Sequence, residues 1–408
     1  MTQSVTEKRR DNTALWCAVS GRCGGCSYSG VSYLGQLREK QARAERLLKE
    51  FGPVSPIRGM DDPLYYRNKV HAAFGTQKGG KVLCGRYKEG THEIIEAGNC
   101  LLENEQAQKI IQDIRDLVVS FRIPVYNEVS RRGCFRRVLI RTARVTGQIM
   151  VVLVLGSPVF VSRGNFVQAL RVLHPEITTI VQNINTRRDS MILGERSQVL
   201  YGRGYIEDEL CGLTYRISPE SFYQVNSVQA QKLYEKAVAM AQLTKRERVI
   251  DAYCGIGTIG MTAASKAAEV TGIELNSSAV RDAVSNAKRC HVENIRFVCA
   301  DATEYLTRSA RAGGTADVIL MDPPRAGSTP AFIRAASSMK PDRIVYISCN
   351  PVTLARDLKL FVKQNYIPRE IAPFDMFPFT QDIETAVLLE RRGRRQGMKP
   401  GRDNHNES

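Results

Sequence analysis

The chain has 408 residues, 43% of them hydrophobic, enough for two domains each with its own core. Lys and Arg outnumber Asp and Glu by 58 to 42, and the formal charge of +16 suits a polyanionic partner. There is no run of about eighteen apolar residues and no apolar leader, which argues against a helical membrane span or secretory signal and leads to the expectation of a cytoplasmic protein.

Residues 1–15 are polar and expected to be disordered. ALWCAVSGRCGGCSYSG follows, with Cys17, Cys23 and Cys26 in a Cx5CxxC spacing. Eleven cysteines in a reducing compartment do not make a disulfide framework, so three clustered thiols point to metal or catalysis. The spacing suits zinc and an iron–sulfur cluster alike. YLGQLREKQARAERLLKEF then places Leu34, Leu37, Ala44, Leu48 and Phe51 at helical intervals, and GPVSPIRG ends that helix. YYRNKVHAAFG, RRVLIRTAR and GQIMVVLVLG read as strands, Asn165 to Leu173 as a helix, and ITTIVQNIN and SQVLYGRGYIEDELCGLTYRIS as further strands. Residues 16–215 are therefore expected to form an antiparallel α+β unit with basic strands.

Beyond this the rhythm changes. RVIDAYC, EVTGIEL, IRFVCA, DVILMD and RIVYISC alternate with helix-length segments, the pattern of a doubly wound, mostly parallel α/β sheet over 216–392. The basic tail 393–408 is expected to be disordered and to add a nucleic-acid contact.

DAYCGIGTIG sets Gly255, Gly257 and Gly260 in GxGxxG between a strand and a helix, where a tight turn brings backbone close to a ligand. Alone, the pattern fits NAD and other adenosine cofactors equally. Glu274, ending the next strand, can accept from both ribose hydroxyls of NAD or of S-adenosylmethionine. DVILMDPPR separates the two, because Asp322, Pro323, Pro324 and Arg325 close a central strand and the prolines stiffen the loop that presents Asp322. Such a loop is characteristic of methyltransferases acting on bases, which favours S-adenosylmethionine; the plainer reading is a proline turn after a strand. RIVYISCNPVTLARD puts Cys349 before a proline-initiated helix whose positive end is expected to lower the thiol pKa. Cys290 and Cys299 read as buried structural cysteines. Methylating carbon 5 of a pyrimidine needs a thiolate to add at carbon 6 and a base to remove the carbon 5 proton. FDMFPFTQDIETAVLLER supplies Glu384 before a strand at the same edge, with Asp382 as the competing carboxylate.

With SPESFYQVN, DAYCGIGT, MDPPR, SCNP and PFTQDIETAVLLER in order, the chain from Cys17 to about Arg392 resembles the bacterial RNA uracil-5-methyltransferase family. The resemblance implies a C-terminal Rossmann-like class I methyltransferase domain behind an N-terminal and central α+β RNA-binding domain. It implies that Gln224, Tyr253, Glu274, Asp301 and Asp322 bind S-adenosylmethionine, that Cys349 is the nucleophile and that Glu384 is the proton acceptor. Tyr66, Arg67, Asn68 and Lys69 match the family's YRNK stretch in its RNA-contacting region. In the ribosomal-RNA branch, three N-terminal cysteines and a distant fourth hold a [4Fe-4S] cluster. Cys17, Cys23, Cys26 and Cys100 stand at those places, whereas Cys84 and Cys134 read as core. The sequence departs from the family where many members carry His-Val-Glu, having Asp382, Ile383 and Glu384 instead. The TRAM barrel that begins many ribosomal members is not expected here, which leaves RNA binding to the central domain and the basic surface. The expected function is methylation of carbon 5 of a uridine in 23S ribosomal RNA by a monomer. Transfer RNA is the alternative substrate, and a non-catalytic iron–sulfur RNA-binding protein the rival of another class.

Overall fold

The computed structural model describes residues 14, 16–77, 79–88 and 90–393. Apart from residues 14 and 393, the N-terminus and basic tail expected to be disordered lie outside the described residues. Among the described residues no helix is long and apolar enough to cross a membrane.

The first sheet is built from β1 (Lys69–Thr76), β2 (Val82–Tyr87), β3 (Ile94–Ile95), β4 (Phe135–Thr142), β5 (Ile149–Leu155), β6 (Ile177–Ile184) and β7 (Arg196–Tyr201), in the order β3-β2-β1-β4-β5-β6-β7. Its pairings are antiparallel except β5 with β6. That exception to the expected antiparallel unit arises because the helix Arg163–Leu173 crosses over between the two strands. β4 and β5 are buried along their whole length. One face meets Ile110, Ile114, Phe166 and Leu170 of two helices, and the other packs with Tyr215, Tyr234 and Ile259 of the C-terminal half. Burial on both faces explains the unbroken apolar run IMVVLVL. It also turns the basic residues of β4, one of the strands expected to be basic, inward. Arg136, Arg137 and Arg141 are interior, with Arg136 paired to Glu128 at 2.8 Å and Arg141 donating to the carbonyls of Pro219 and Ser221.

A hairpin of β8 (Ile206–Leu210) and β9 (Leu213–Ile217) precedes the second sheet. That sheet contains β10 (Arg248–Ala252), β11 (Glu269–Glu274), β12 (Ile295–Cys299), β13 (Val318–Met321), β14 (Arg343–Ser348), β15 (Tyr366–Phe374) and β16 (Glu384–Arg391), in the order β12-β11-β10-β13-β14-β16-β15. β10 to β14 are parallel, and β16 is antiparallel to both β14 and β15. This is the doubly wound α/β sheet expected from the sequence, with the strand order reversing between β10 and β13, where such sheets bind ligands. Cys299 is exposed at the end of edge strand β12 rather than buried, and Cys290 is partly buried against the core. Cys134 is core, and Cys84 packs beside it.

The N-terminal helix spans Tyr33–Leu48, and its buried stripe is Gln36, Lys40, Ala44 and Leu48. The expected face was more apolar, yet Leu34 is exposed. The rotation has a polar cause. Lys40 Nζ lies 2.5 Å from Asp375 Oδ1 with both side chains fully buried, and also donates to the carbonyl of Phe377 at 3.0 Å. The Tyr33 hydroxyl donates to Asp375 Oδ2 at 2.8 Å. Removing one partner strands a buried charge. Lys40→Met is therefore expected to lower the unfolding free energy by about 3–5 kcal/mol, and Lys40→Met with Asp375→Leu to recover part of that loss, both read from denaturant midpoints.

Candidate functional site

The second sheet delivers the predicted residues to one edge. Tyr253 follows β10, Glu274 ends β11, Asp301 lies just past β12, Asp322 follows β13 and Cys349 follows β14. β16 runs the other way, so its first residue, Glu384, enters from that same edge. The β14–β16 register ends on Ser348 opposite Thr385, and continued by one residue it sets Cys349 against Glu384.

The glycine loop forms a cradle at the switch point. Gly255 and Gly257 have φ of 56° and 87°, and a Cβ on Gly257 would meet the Phe297 ring at 2.9 Å. Asp251 is fully buried and accepts from the Gly260 amide at 2.7 Å. Burial, with added repulsion from Asp322 and Glu274, pushes its carboxyl up to about 8, and its other oxygen has no partner. Tyr253 has a φ of 66°, a left-handed conformation that costs a non-glycine residue about 1 kcal/mol or more. Its ring lies against Phe332 with centroids 5.2 Å apart. Glu274 accepts from the amides of Gly255 at 3.1 Å and Asn276 at 2.7 Å. Asp301 is exposed and caps the helix Ala302–Arg311 through the Glu304 amide at 3.0 Å.

On the other side of the switch point the groups repel one another. The Cys349 thiol is pushed up to about 11, first by burial and then by the charges of Glu384 and Asp322, with Arg325 opposing. This corrects the expectation of a lowered pKa. The helix Pro351–Lys363 does start beside Cys349, but its first turn is capped by Asn350, and burial with two carboxylates outweighs the helix end. Glu384 is buried, its Oε2 lacks a partner, and burial followed by Asp322 and Asp382 holds its carboxyl well above the usual range. Burial pushes Asp322 up to about 7. Asp382 differs, being paired with Arg325 at 2.8 Å.

Sequence reasoning missed Asp251 and Tyr234. Asp251 opens the glycine motif and could have been found from its position. Tyr234 lies on the buried face of the helix Ser227–Ala241, within hydrogen-bonding reach of Gln224 and Thr258, and feels the charges of Asp322 and Glu384. That contact, invisible in sequence, links buried Gln224 to the carboxylates.

The loop of residues 375–383, between β15 and β16, leads into Glu384 and is held from several sides. The amides of Ser27 and Tyr28 donate to the Phe379 carbonyl at 2.8 and 3.2 Å, and Gln36 accepts from the Phe379 amide at 2.9 Å. Arg43 donates to the Gln381 carbonyl, Tyr66 to Pro378, Asn226 to Met376 and Gln229 to Asp375. Asn68 bonds the backbone of Gln224 and Val225 at 3.0 and 2.9 Å. Tyr66 and Asn68 of the YRNK stretch thus serve as internal clips.

The cysteine segment approaches both sheets. Cys26 is pushed up to about 11 by burial and then by Cys100, Cys17 and Cys23, so those three thiols lie within electrostatic reach of Cys26. Gln108 clamps Cys100, accepting from its amide at 2.7 Å and donating to its carbonyl at 2.8 Å. Among the described residues no three His, Cys, Asp or Glu side chains are arranged to hold a metal ion.

A family model described as tRNA (uracil-5-)-methyltransferase matches residues 183–392. An uncharacterized RNA methyltransferase of Halalkalibacterium halodurans is 38% identical over 392 residues, 95% of this chain and 85% of its own length. One from Listeria monocytogenes is 40% identical over 377 residues, covering 91% and 83%. The crystal structure of Pyrococcus abyssi tRNA (uracil-54, C5)-methyltransferase in complex with S-adenosyl-L-homocysteine is similar, with a TM-score of 0.75 and 27% identity over 90% of this chain and 85% of that one.

The charges around Cys349 make a prediction for its reactivity. Arg325 favours the thiolate and is largely exposed, so its influence is that of a screened surface charge. Arg325→Gln is expected to slow iodoacetamide alkylation of Cys349 at mildly alkaline pH by roughly two- to fivefold, as suits about 0.5–1 kcal/mol. The difference should shrink in high salt, as followed by mass spectrometry of the Cys349 peptide.

Proposed function

Because the chain belongs to the tRNA (uracil-5-)-methyltransferase family, we propose that it methylates carbon 5 of a uridine in 23S ribosomal RNA, with S-adenosylmethionine as methyl donor. The observation that carries this reading is the juxtaposition of a half-buried thiol, Cys349, with a buried, unpartnered carboxyl, Glu384. The Pyrococcus abyssi enzyme, bound to S-adenosyl-L-homocysteine, supports the same donor here. So does the tight turn at Gly255 and Gly257, whose positive φ values suit glycine and bring backbone to the ligand edge of the sheet.

S-adenosylmethionine supplies an electrophilic methyl group when bound. Gln224, Tyr253, Glu274, Asp301 and Asp322 are assigned to hold it. Both oxygens of Glu274 are oriented by backbone amides and retain lone pairs for ribose hydroxyls. Cys349 loses its proton to solvent and Sγ adds to carbon 6, sending the ring's electron pair towards carbon 5 and the O4 oxygen. Carbon 5 takes the methyl group. Glu384, as carboxylate, then removes the carbon 5 proton, the 5,6 double bond re-forms, and the carbon 6–sulfur bond breaks to release the thiolate. A carboxylate whose pKa is raised is a stronger base for a carbon-bound proton, which suits Glu384 better than the ion-paired Asp382. The uridine reaches this edge by flipping out of its stack.

Cys17, Cys23, Cys26 and Cys100 are proposed to hold a [4Fe-4S] cluster. Their thiolate chemistry suits one, Cys17, Cys23 and Cys100 all act on Cys26, and its ligation would tie the segment that carries Phe379's partners, Ser27 and Tyr28, to the first sheet. The cysteine set favours ribosomal RNA. A transfer-RNA uridine is the second reading, favoured by the family's description and by the archaeal tRNA enzyme.

RNA containing 5-fluorouridine is expected to trap a covalent, methylated adduct with the unmodified chain and none with Cys349→Ala. Glu384→Gln should transfer methyl yet fail to release RNA; normal turnover would move the base to Asp382. Mass mapping of ribosomal and transfer RNA from a deletion strain separates the two substrates. Purified without oxygen, the chain is expected to carry iron and sulfide and a yellow-brown absorbance, all lost in Cys26→Ser; colourless protein with stoichiometric zinc would overturn the cluster assignment.

A further inference from the structure

A cavity of about 420 Å³ opens beside the reactive edge and is lined by Arg43, Arg67, Arg86 and Arg325, with Asp382 at its margin. Two of these cations are already engaged. Arg325 pairs with Asp382 at 2.8 Å, and Arg86 donates from Nε to Glu103 at 3.0 Å. Arg43 and Arg67 form no ion pair among the described residues. Arg43 gives one N–H to the Gln381 carbonyl at 2.8 Å, and Arg67, whose guanidinium lies 5.9 Å from the Tyr66 ring centroid, has a buried Nε with no hydrogen-bond partner. Guanidinium groups with unspent donors, converging on a polar cavity, match the forked geometry of a phosphate.

The cavity also adjoins a longer groove. This groove of about 640 Å³ along the first sheet shares Gly24, Gly25 and Arg86 with it and adds Lys88 and Arg188 together with Glu128 and Asp189. Gly25 keeps this junction open, since a Cβ there would meet Arg86 Nη1 at 3.0 Å and Cys23 Sγ at 3.4 Å. At the other end the charge of Arg325 reaches Cys349 and Glu384. A strand lying in the groove would therefore pass the unspent arginines just before the reactive thiol.

We propose that the Arg43–Arg67 cavity seats a phosphodiester of the RNA strand adjoining the nucleotide presented to Cys349. The identity of that nucleotide as a uridine rests on the function proposed above; the phosphate seat rests on the arginines. Each phosphate contact contributes about one to the slope of log affinity against log salt.

The full chain and its Arg43→Gln/Arg67→Gln variant are to be compared on a 23S ribosomal RNA transcript and on unfractionated transfer RNA. The expected result is a salt slope lower by about one to two and a KM for RNA raised roughly tenfold, with S-adenosylmethionine binding intact. Should the pair of changes prevent folding, Arg43→Gln alone should lower the slope by about one. An unchanged slope and KM in a folded variant would overturn the phosphate seat. Absence of methyl transfer by the unmodified chain to either RNA would overturn the uridine reading instead, while the salt slope of RNA binding would still decide for or against the seat.

Discussion

The antiparallel insertion of β16 between β14 and β15 is the constraint on which the reactive edge depends. A sixth parallel strand would deliver its carboxyl end to that edge, whereas β16 delivers its first residue, Glu384, next to the thiol that ends β14. The same reversal forces the connection from β15 to β16 to lie at the ligand edge, as the loop of residues 375–383. That loop takes partners from the cysteine segment, the N-terminal helix, the YRNK stretch and the segment that begins the helix Ser227–Ala241. The buried Lys40–Asp375 pair fixes its first residue. N-terminal elements far away in sequence thus act as supports for a residue near the C-terminus.

The electrostatics show what this arrangement costs. Cys349, Glu384 and Asp322 share a poorly hydrated space in which each raises the pKa of another or is raised by burial alone, and Arg325 offsets them from an exposed position. Burying such groups without full partners is unfavourable, and sites that do so are commonly the ones that handle protons and nucleophiles. The high thiol pKa in the free chain keeps Cys349 largely protonated at neutral pH. In the proposed reaction, deprotonation and attack then belong to the RNA-bound state, which protects the thiol from adventitious alkylation and oxidation.

Much of the second sheet was legible in sequence, because parallel strands buried on both faces appear as short, largely apolar runs such as VILM and RIVYIS between helix-length segments. Most of the edge residues were legible for the same reason, since Tyr253, Glu274, Asp301, Asp322 and Cys349 end or follow such runs, whereas Glu384 begins one. Other features depend on contacts between distant segments. The helix Tyr33–Leu48 turned its polar side inward because Lys40 and Gln36 meet Asp375 and Phe379, partners more than three hundred residues away. The arginines of β4 made that strand basic in sequence, yet β4 lies mid-sheet and its guanidinium groups brace neighbouring loops. The thiol pKa was misjudged because helix dipoles can be inferred from sequence, whereas the approach of two carboxylates cannot.

The central claim is a division of labour, with Cys349 opening the pyrimidine and Glu384 taking the proton from its carbon 5. RNA labelled with tritium at carbon 5 of uridine reports both steps through release of tritium to water. The account predicts release matching methyl transfer for the unmodified chain, none for Cys349→Ala, and none for Glu384→Gln even as methylated adduct accumulates. Methyl-dependent tritium release by Cys349→Ala would contradict it.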